Sequence, residues 1–225
     1  MVKLIRADRL TVLALCAALA ACGSADPVAY SGIASSAYLK ENPADSAHEP
    51  YHYTSDVNWG TYKRIIVDPV VVYRGPDQQF GDMSEKDKTV LADYMQSQFT
   101  EKLRGRFALA TEPAPSTLRL RLTLTGAATS TPVLSTLTRF DIAGALYNMT
   151  QTARGGEGAL TGSVLYAVEI YDAANARLLS AYIAKQYPGP YNLGAGIGSL
   201  SAAKTGIEKG ADALVEQLAD SAGRS

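Results

Sequence analysis

Two stretches of this chain spell, or nearly spell, motifs that carry chemistry. His48-Glu49-Pro50-Tyr51-His52 reads HExxH. That pattern makes a zinc site when both imidazoles project from one face of a helix and the Glu serves as base. Pro50 opposes such a helix, the flanks carry no apolar period, and the chain has only 2 His, so no third imidazole exists. The motif reads as two incidental imidazoles. Residues 198–205 read GSLSAAKT, one residue away from a phosphate-binding loop, with Ala203 where Gly belongs. The Gly is what lets backbone amides wrap phosphate oxygens. Gly194, Gly196 and Gly198 also miss the dinucleotide spacing, since Ser199 stands at the third position. These glycines read as a loop entering a helix, with Ser199 or Ser201 as its N-cap. No GxSxG is present, so a hydrolase elbow has no support.

The remaining polar candidates lie inside apolar segments. Asp68 sits between Val67 and Pro69 in the run Ile65-Ile66-Val67-Asp68-Pro69-Val70. A carboxylate there either bonds backbone at a strand end or serves as an acid or base, for which a second carboxyl would be needed. Arg119 and Arg121 alternate with leucines and form a basic strip on the wet face of a strand, solvated or facing an anionic partner.

Cys22 has a different setting. Lys3, Arg6 and Arg9 precede an apolar run over residues 10–20, which ends in the small residues Ala20-Ala21. This is the grammar of a secretory signal peptide over residues 1–21. The run is too short to cross about 30 Å of hydrocarbon as a helix. Leu19-Ala20-Ala21-Cys22 resembles the lipobox of bacterial lipoproteins. The resemblance implies diacylglyceryl transfer to the Cys22 thiol, cleavage before it, and acylation (palmitate or a similar chain) of the new amino terminus. Of the 2 cysteines, Cys16 leaves with the leader. Cys22 is then alone, an internal disulfide is excluded, and lipidation accounts for the lone thiol. Each buried methylene contributes about 0.8 kcal/mol, and more than one acyl chain makes anchoring stable. Gly23 and Ser24 follow; without Asp at that position, sorting in a Gram-negative host favours the outer membrane, facing the periplasm.

Composition fits a folded body behind that anchor. The 225 residues are 47% hydrophobic and 19% charged, an ordinary globular balance. Losing Lys3, Arg6, Arg9 and Asp8 with the leader leaves 18 basic and 21 acidic residues, a charge of −3. That is no electrostatic footprint for nucleic acid, and the failed phosphate loop argues against nucleotide. Residues 22–60 read as a lipidated N-terminal tether, rich in Ser, Ala, Pro and Asp. Its aromatics Tyr30, Tyr38, Tyr51, Tyr53 and Trp59 predict that part of it packs back. Residues 61–221 read as one α+β domain.

Within that domain, residues 63–73 predict a strand interrupted by Pro69. Ser84 with Asp87 predicts a capped helix start. Val90, Leu91, Tyr94, Met95, Phe99 and Leu103 then form one apolar stripe. A short strand follows at 107–111. Leu118, Leu120, Leu122 and Leu124 alternate with polar residues, the cleanest two-residue period in the chain. Residues 164–171 and 177–186 predict a hairpin, and 200–219 a last helix. The stretch 129–158 carries apolar residues at roughly helical spacing and reads either as a core-covering helix or as an interaction surface. The sum is a sheet of about five strands with helices mainly on one face.

Several of these segments together resemble a known family. Beyond the lipobox they are Tyr30-Ser31-Gly32-Ile33 with Tyr38-Leu39, the Tyr62–Val70 run, Leu118-Arg119-Leu120-Arg121 and Thr131-Pro132-Val133-Leu134. They are similar to the bacterial lipoproteins grouped as domain of unknown function 3313. No catalytic residues are assigned in that family, so the resemblance implies none here. The expectation is a non-enzymatic envelope lipoprotein with no cofactor and no metal. Its partners would be the membrane, through acyl chains on Cys22, and an envelope protein. The alternatives are an enzyme acting on envelope polymers near Asp68 and a subunit of an oligomeric envelope assembly.

Overall fold

The computed structural model describes residues 26–129, 162–188 and 198–220. Cys22 and nearly all of 129–158 lie outside them. In chain order the strands are β1 (Lys40–Glu41), β2 (Tyr51–Thr54), β3 (Arg64–Val67), β4 (Val71–Val72), β5 (Ala108–Leu109), β6 (Thr117–Ala128), β7 (Ser163–Asp172) and β8 (Leu178–Gln186). The helices are α1 (Glu85–Arg104), between β4 and β5, and α2 (Ser201–Asp220), after β8.

All strands join one mixed sheet in the order β1-β2-β8-β7-β6-β3-β5, with β4 also paired to β6. The expectation of about five strands is therefore corrected: the described residues form 8. Two of the additions, β1 and β2, come from the stretch read as tether. The third comes from Pro69, which splits one predicted strand into β3 and β4. Both halves run parallel to β6, with Ile65 opposite Leu118 and Val71 opposite Thr123. Pro69 has no N–H to offer the ladder. Beyond it, the Val70 amide donates to Gln96 Oε1 of α1 at 2.8 Å, so the break leaves that donor satisfied.

The two-residue period of β6 sets the layers. Leu118, Leu120, Leu122 and Leu124 are 0–1% exposed and face the helices. Each such leucine contributes roughly 1.5–3 kcal/mol by leaving water. Against them pack Leu91, Met95, Phe99 and Leu103 of α1, and Ile207, Ala211, Leu214 and Leu218 of α2. The Ser84 hydroxyl accepts the Asp87 amide at 3.1 Å and caps α1 as the sequence predicts. Helix α2 lies unusually close to β7 and β8. A Cβ on Gly206 would stand 2.8 Å from the Gln186 carbonyl oxygen, and one on Gly210 would stand 1.7 Å from Tyr166 Oη.

The opposite face of the sheet is covered by residues 26–39, which form an N-terminal strap. Tyr30, Ile33, Tyr73, Ala167 and Ile183 are buried together there, with Leu39 and Tyr51 packed beside them. No helix of the described residues is long and apolar enough to cross a membrane.

Candidate functional site

The strap-side face carries the polar residues singled out from the sequence. Parallel pairing sets Ile66 opposite Arg119 and Val67 opposite Leu120. The Asp68 amide donates to the Leu120 carbonyl at 2.9 Å, which fixes the carboxylate beside β6. Its two oxygens then accept separately: Oδ1 from Arg119 Nε at 3.0 Å and Oδ2 from Arg121 Nε at 3.2 Å. Asp68 is thus a clamp between two guanidiniums that alternate along one strand.

The network continues into β7. Register places Arg119 opposite Tyr171 and Arg121 opposite Glu169. The Arg121 guanidinium lies 5.1 Å from the Tyr171 ring centroid, within cation–π range. The Tyr171 hydroxyl donates to Glu169 Oε1 at 3.1 Å, and the Ser35 amide of the strap donates to the same oxygen at 2.7 Å. Burial, and next to it the Glu169 charge, push the Tyr171 phenol up to about 12. Two carboxylates and two guanidiniums balance, so the basic strip read from Arg119 and Arg121 carries no net charge in the fold.

Glu169 is 4% exposed and was not singled out from the sequence. Its signal is a lone acid in the run Val164–Ile170, every residue of which is buried. As the second carboxyl near Asp68, it is reached only through Arg121 and Tyr171. Both acids accept hydrogen bonds from fixed donors, an arrangement that orders strands and strap. Among the described residues, Asp68 is engaged by Arg119 and Arg121, and Glu169 by Tyr171 and Ser35.

The strap is fastened at a second place, around Tyr73. Tyr30 and Tyr73 meet edge to face, with ring centroids 5.6 Å apart. The Tyr73 hydroxyl donates to Asp77 Oδ1 at 2.7 Å and accepts from the Gly32 amide at 3.0 Å. The Ser31 amide donates to Asp77 Oδ2 at 2.9 Å. The Tyr73 hydroxyl, and then the Ser31 amide, hold the Asp77 carboxyl below its usual range. Tyr30 donates to Gln79 Oε1, and Gln79 Nε2 donates to the Asp26 carbonyl at 2.7 Å.

The HExxH residues do not share a helix. His48 follows a 3-10 turn at Pro43–Asp45, where its Nδ1 lies 3.2 Å from Asp45 Oδ1 and its ring stacks on Tyr187; His52 sits in β2. Between them, burial raises the Glu49 carboxyl, and the Asp45 charge adds to it. No group of three or more His, Cys, Asp or Glu that could hold a metal occurs among the described residues. At the near-miss phosphate loop, the Ser201 hydroxyl donates to the Gly198 carbonyl at 2.8 Å as α2 begins.

The architecture is that of an α+β protein: a mixed eight-stranded sheet with two helices on one face and an N-terminal strap on the other. A family model described as Protein of unknown function (DUF3313) matches residues 29–214, strap included. The chain belongs to that family. No curated protein matches it. Among solved structures it is similar to a PelC variant dodecamer from Paraburkholderia phytofirmans, at 11% identity and a TM-score of 0.36, covering 70% of this chain and 89% of that one. It is similar also to the PelC dodecamer from the same organism, at 12% identity and a TM-score of 0.35, covering 70% and 93%. At that distance the likeness carries no argument about assembly here.

Proposed function

We propose that this protein is a lipid-anchored lipoprotein of the cell envelope, held in the outer membrane by acyl chains on Cys22. Its folded body faces the periplasm as a non-enzymatic binding module. Two features support this. Small residues stand directly ahead of Cys22, behind a charged and apolar leader. The acids nearest the sequence-derived site, Asp68 and Glu169, are engaged by Arg119, Arg121, Tyr171 and Ser35 in holding strands and strap together. The second observation carries the choice of a binding role over an enzymatic one, because it gives Asp68 a structural part. The partner is an envelope protein or another envelope component.

The test of anchoring is replacement of Cys22 by Ser, followed by fractionation and fatty-acid labelling. The variant leaves the membrane fraction and takes up no label; retention of label would overturn the reading. The test of binding is crosslinking in intact cells, with identification of what is bound. A partner recovered with wild type and lost when its contact surface is altered supports a binding module. Turnover of an envelope polymer by the purified protein, abolished by Asp68→Asn, would replace it with the enzymatic alternative.

A further inference from the structure

The strap turns an anchor into an orientation. From Cys22 to Asp26 there are four residue steps, which span at most about 14 Å fully extended. From Asp26 onward the chain is fastened to one corner of the body. The Asp26 carbonyl accepts from Gln79, Tyr30 donates to Gln79, Ser31 donates to Asp77, and the Gly32 amide donates to the Tyr73 hydroxyl. Tyr30 is 1% exposed, so this attachment is also a packed one. Gln79 in turn is tied to the far end of β6, where it pairs with Gly126 and its amide donates to the Thr125 carbonyl at 2.9 Å.

The other end of the sheet is remote from that corner. Leu118 at the start of β6 lies opposite Asp172, where the β7–β8 turn begins. Eight residue steps along β6 lead from Leu118 to Gly126, about 26 Å at 3.3 Å per residue. The sheet is therefore about twice as long as the leash.

We infer that the corner formed by Tyr30, Tyr73, Asp77 and Gln79 faces the phospholipid headgroups, with the β7–β8 turn held at the distal end of the body. The inference rests on acylation of Cys22, as proposed above. The acyl chains supply the affinity, and the docked strap sets which end comes near. Lying flat would bring both ends to the bilayer at the cost of rotational freedom. The large hydrophobics exposed among the described residues do not favour it: Val28, Tyr38, Val71, Val90 and Leu109 are spread over the strap, β4, α1 and β5.

The experiment uses the full-length lipidated protein in phosphatidylcholine vesicles that contain a headgroup-nitroxide lipid. Cys22 is the only cysteine left after the leader, and acylation blocks its thiol. Asp82→Cys near the corner and Ala174→Cys in the turn, both exposed positions, each carry one fluorophore. Quenching at 82 is several-fold stronger than at 174. Equal quenching, or stronger quenching at 174, overturns the orientation while leaving anchoring intact. The same labels on a chain that starts at Gly23, made without the leader or Cys22, show no quenching at either position; vesicle binding by that chain overturns the anchoring reading instead. In a Tyr30→Ala, Asp77→Ala background the protein stays on the vesicles and the difference between positions collapses. A difference that persists unchanged would show that the strap does not set the orientation.

Discussion

The backbone amide of Ser35 donates to Oε1 of Glu169 at 2.7 Å, across 134 residues of chain, and pins the strap to the middle of the central strand. A charge inside a two-sided apolar strand is costly unless it is engaged. Here Glu169 is engaged by Ser35 from above and by Tyr171 from within its own strand. The acid that looks like a defect in β7 is what seats the N-terminal residues on the sheet.

Glu169→Ala removes an acceptor from two donors at once. Leaving a buried donor unsatisfied costs roughly 1–3 kcal/mol. Urea unfolding should show a loss in that range, and limited proteolysis should cut the strap faster. Glu169→Gln keeps an acceptor oxygen and should lose less.

Gly210→Ala sets two effects against each other. Ala is favoured over Gly in a helix by about 1 kcal/mol, whereas overpacking a core costs about 1–3 kcal/mol. With Tyr166 Oη only 1.7 Å from the added Cβ, packing dominates and the variant is less stable. Tyr166→Phe removes that oxygen, so the double variant should lose less than the two single losses combined. Additive losses would show that α2 does not rest on Tyr166.

Asp68→Asn should have a small effect. Its partners Arg119 and Arg121 are 35% and 48% exposed, and ion pairs of this kind contribute about 0–1 kcal/mol. Denaturation at low and high salt should show a modest loss that shrinks with salt. On the proposed anchoring through Cys22, this variant should fractionate as wild type does.

Two acids respond to pH with opposite signs. Burial raises Glu49 in the fold from an ordinary 4.5, so the folded state binds the proton more tightly. Stability falls as pH rises from 4.5 through the raised folded value, then levels off. Glu49→Gln should remove that decline and be the more stable form at neutral pH. Asp77 is lowered from 3.8, so its contribution is full above 3.8 and is lost as pH falls below it. Protease cutting of the strap should increase in that acid range in wild type and be pH-independent in Asp77→Asn.

What was legible in the sequence were the elements whose periods are uniform. The leucines of β6 and the Ser84 cap with the stripe of α1 repeat one face over two or more turns or pleats, and β7 and β8 read as near-continuous buried runs on either side of a turn. Strand β2 escaped because it has only four residues, follows Pro50, and presents His52 and Thr54 to solvent. Strands β3 and β4 read as one because apolar runs stand on both sides of Asp68-Pro69, while the donor freed at the break is satisfied by Gln96, a helix residue remote in sequence. The Asp68 network was half legible. Asp68, Arg119 and Arg121 stand out by type, but their meeting depends on parallel pairing, and Glu169 enters only through register with Arg121. The strap was legible as excess aromatics, but not as a clasp around Tyr73 and Gln79.

Mass spectrometry of the intact protein tests the proposed anchoring most directly. A mature chain that begins at Cys22, with its mass increased by thioether-linked diacylglyceryl and an amide-linked acyl chain, is the result expected. An unmodified Cys22 behind an intact 21-residue leader would contradict it.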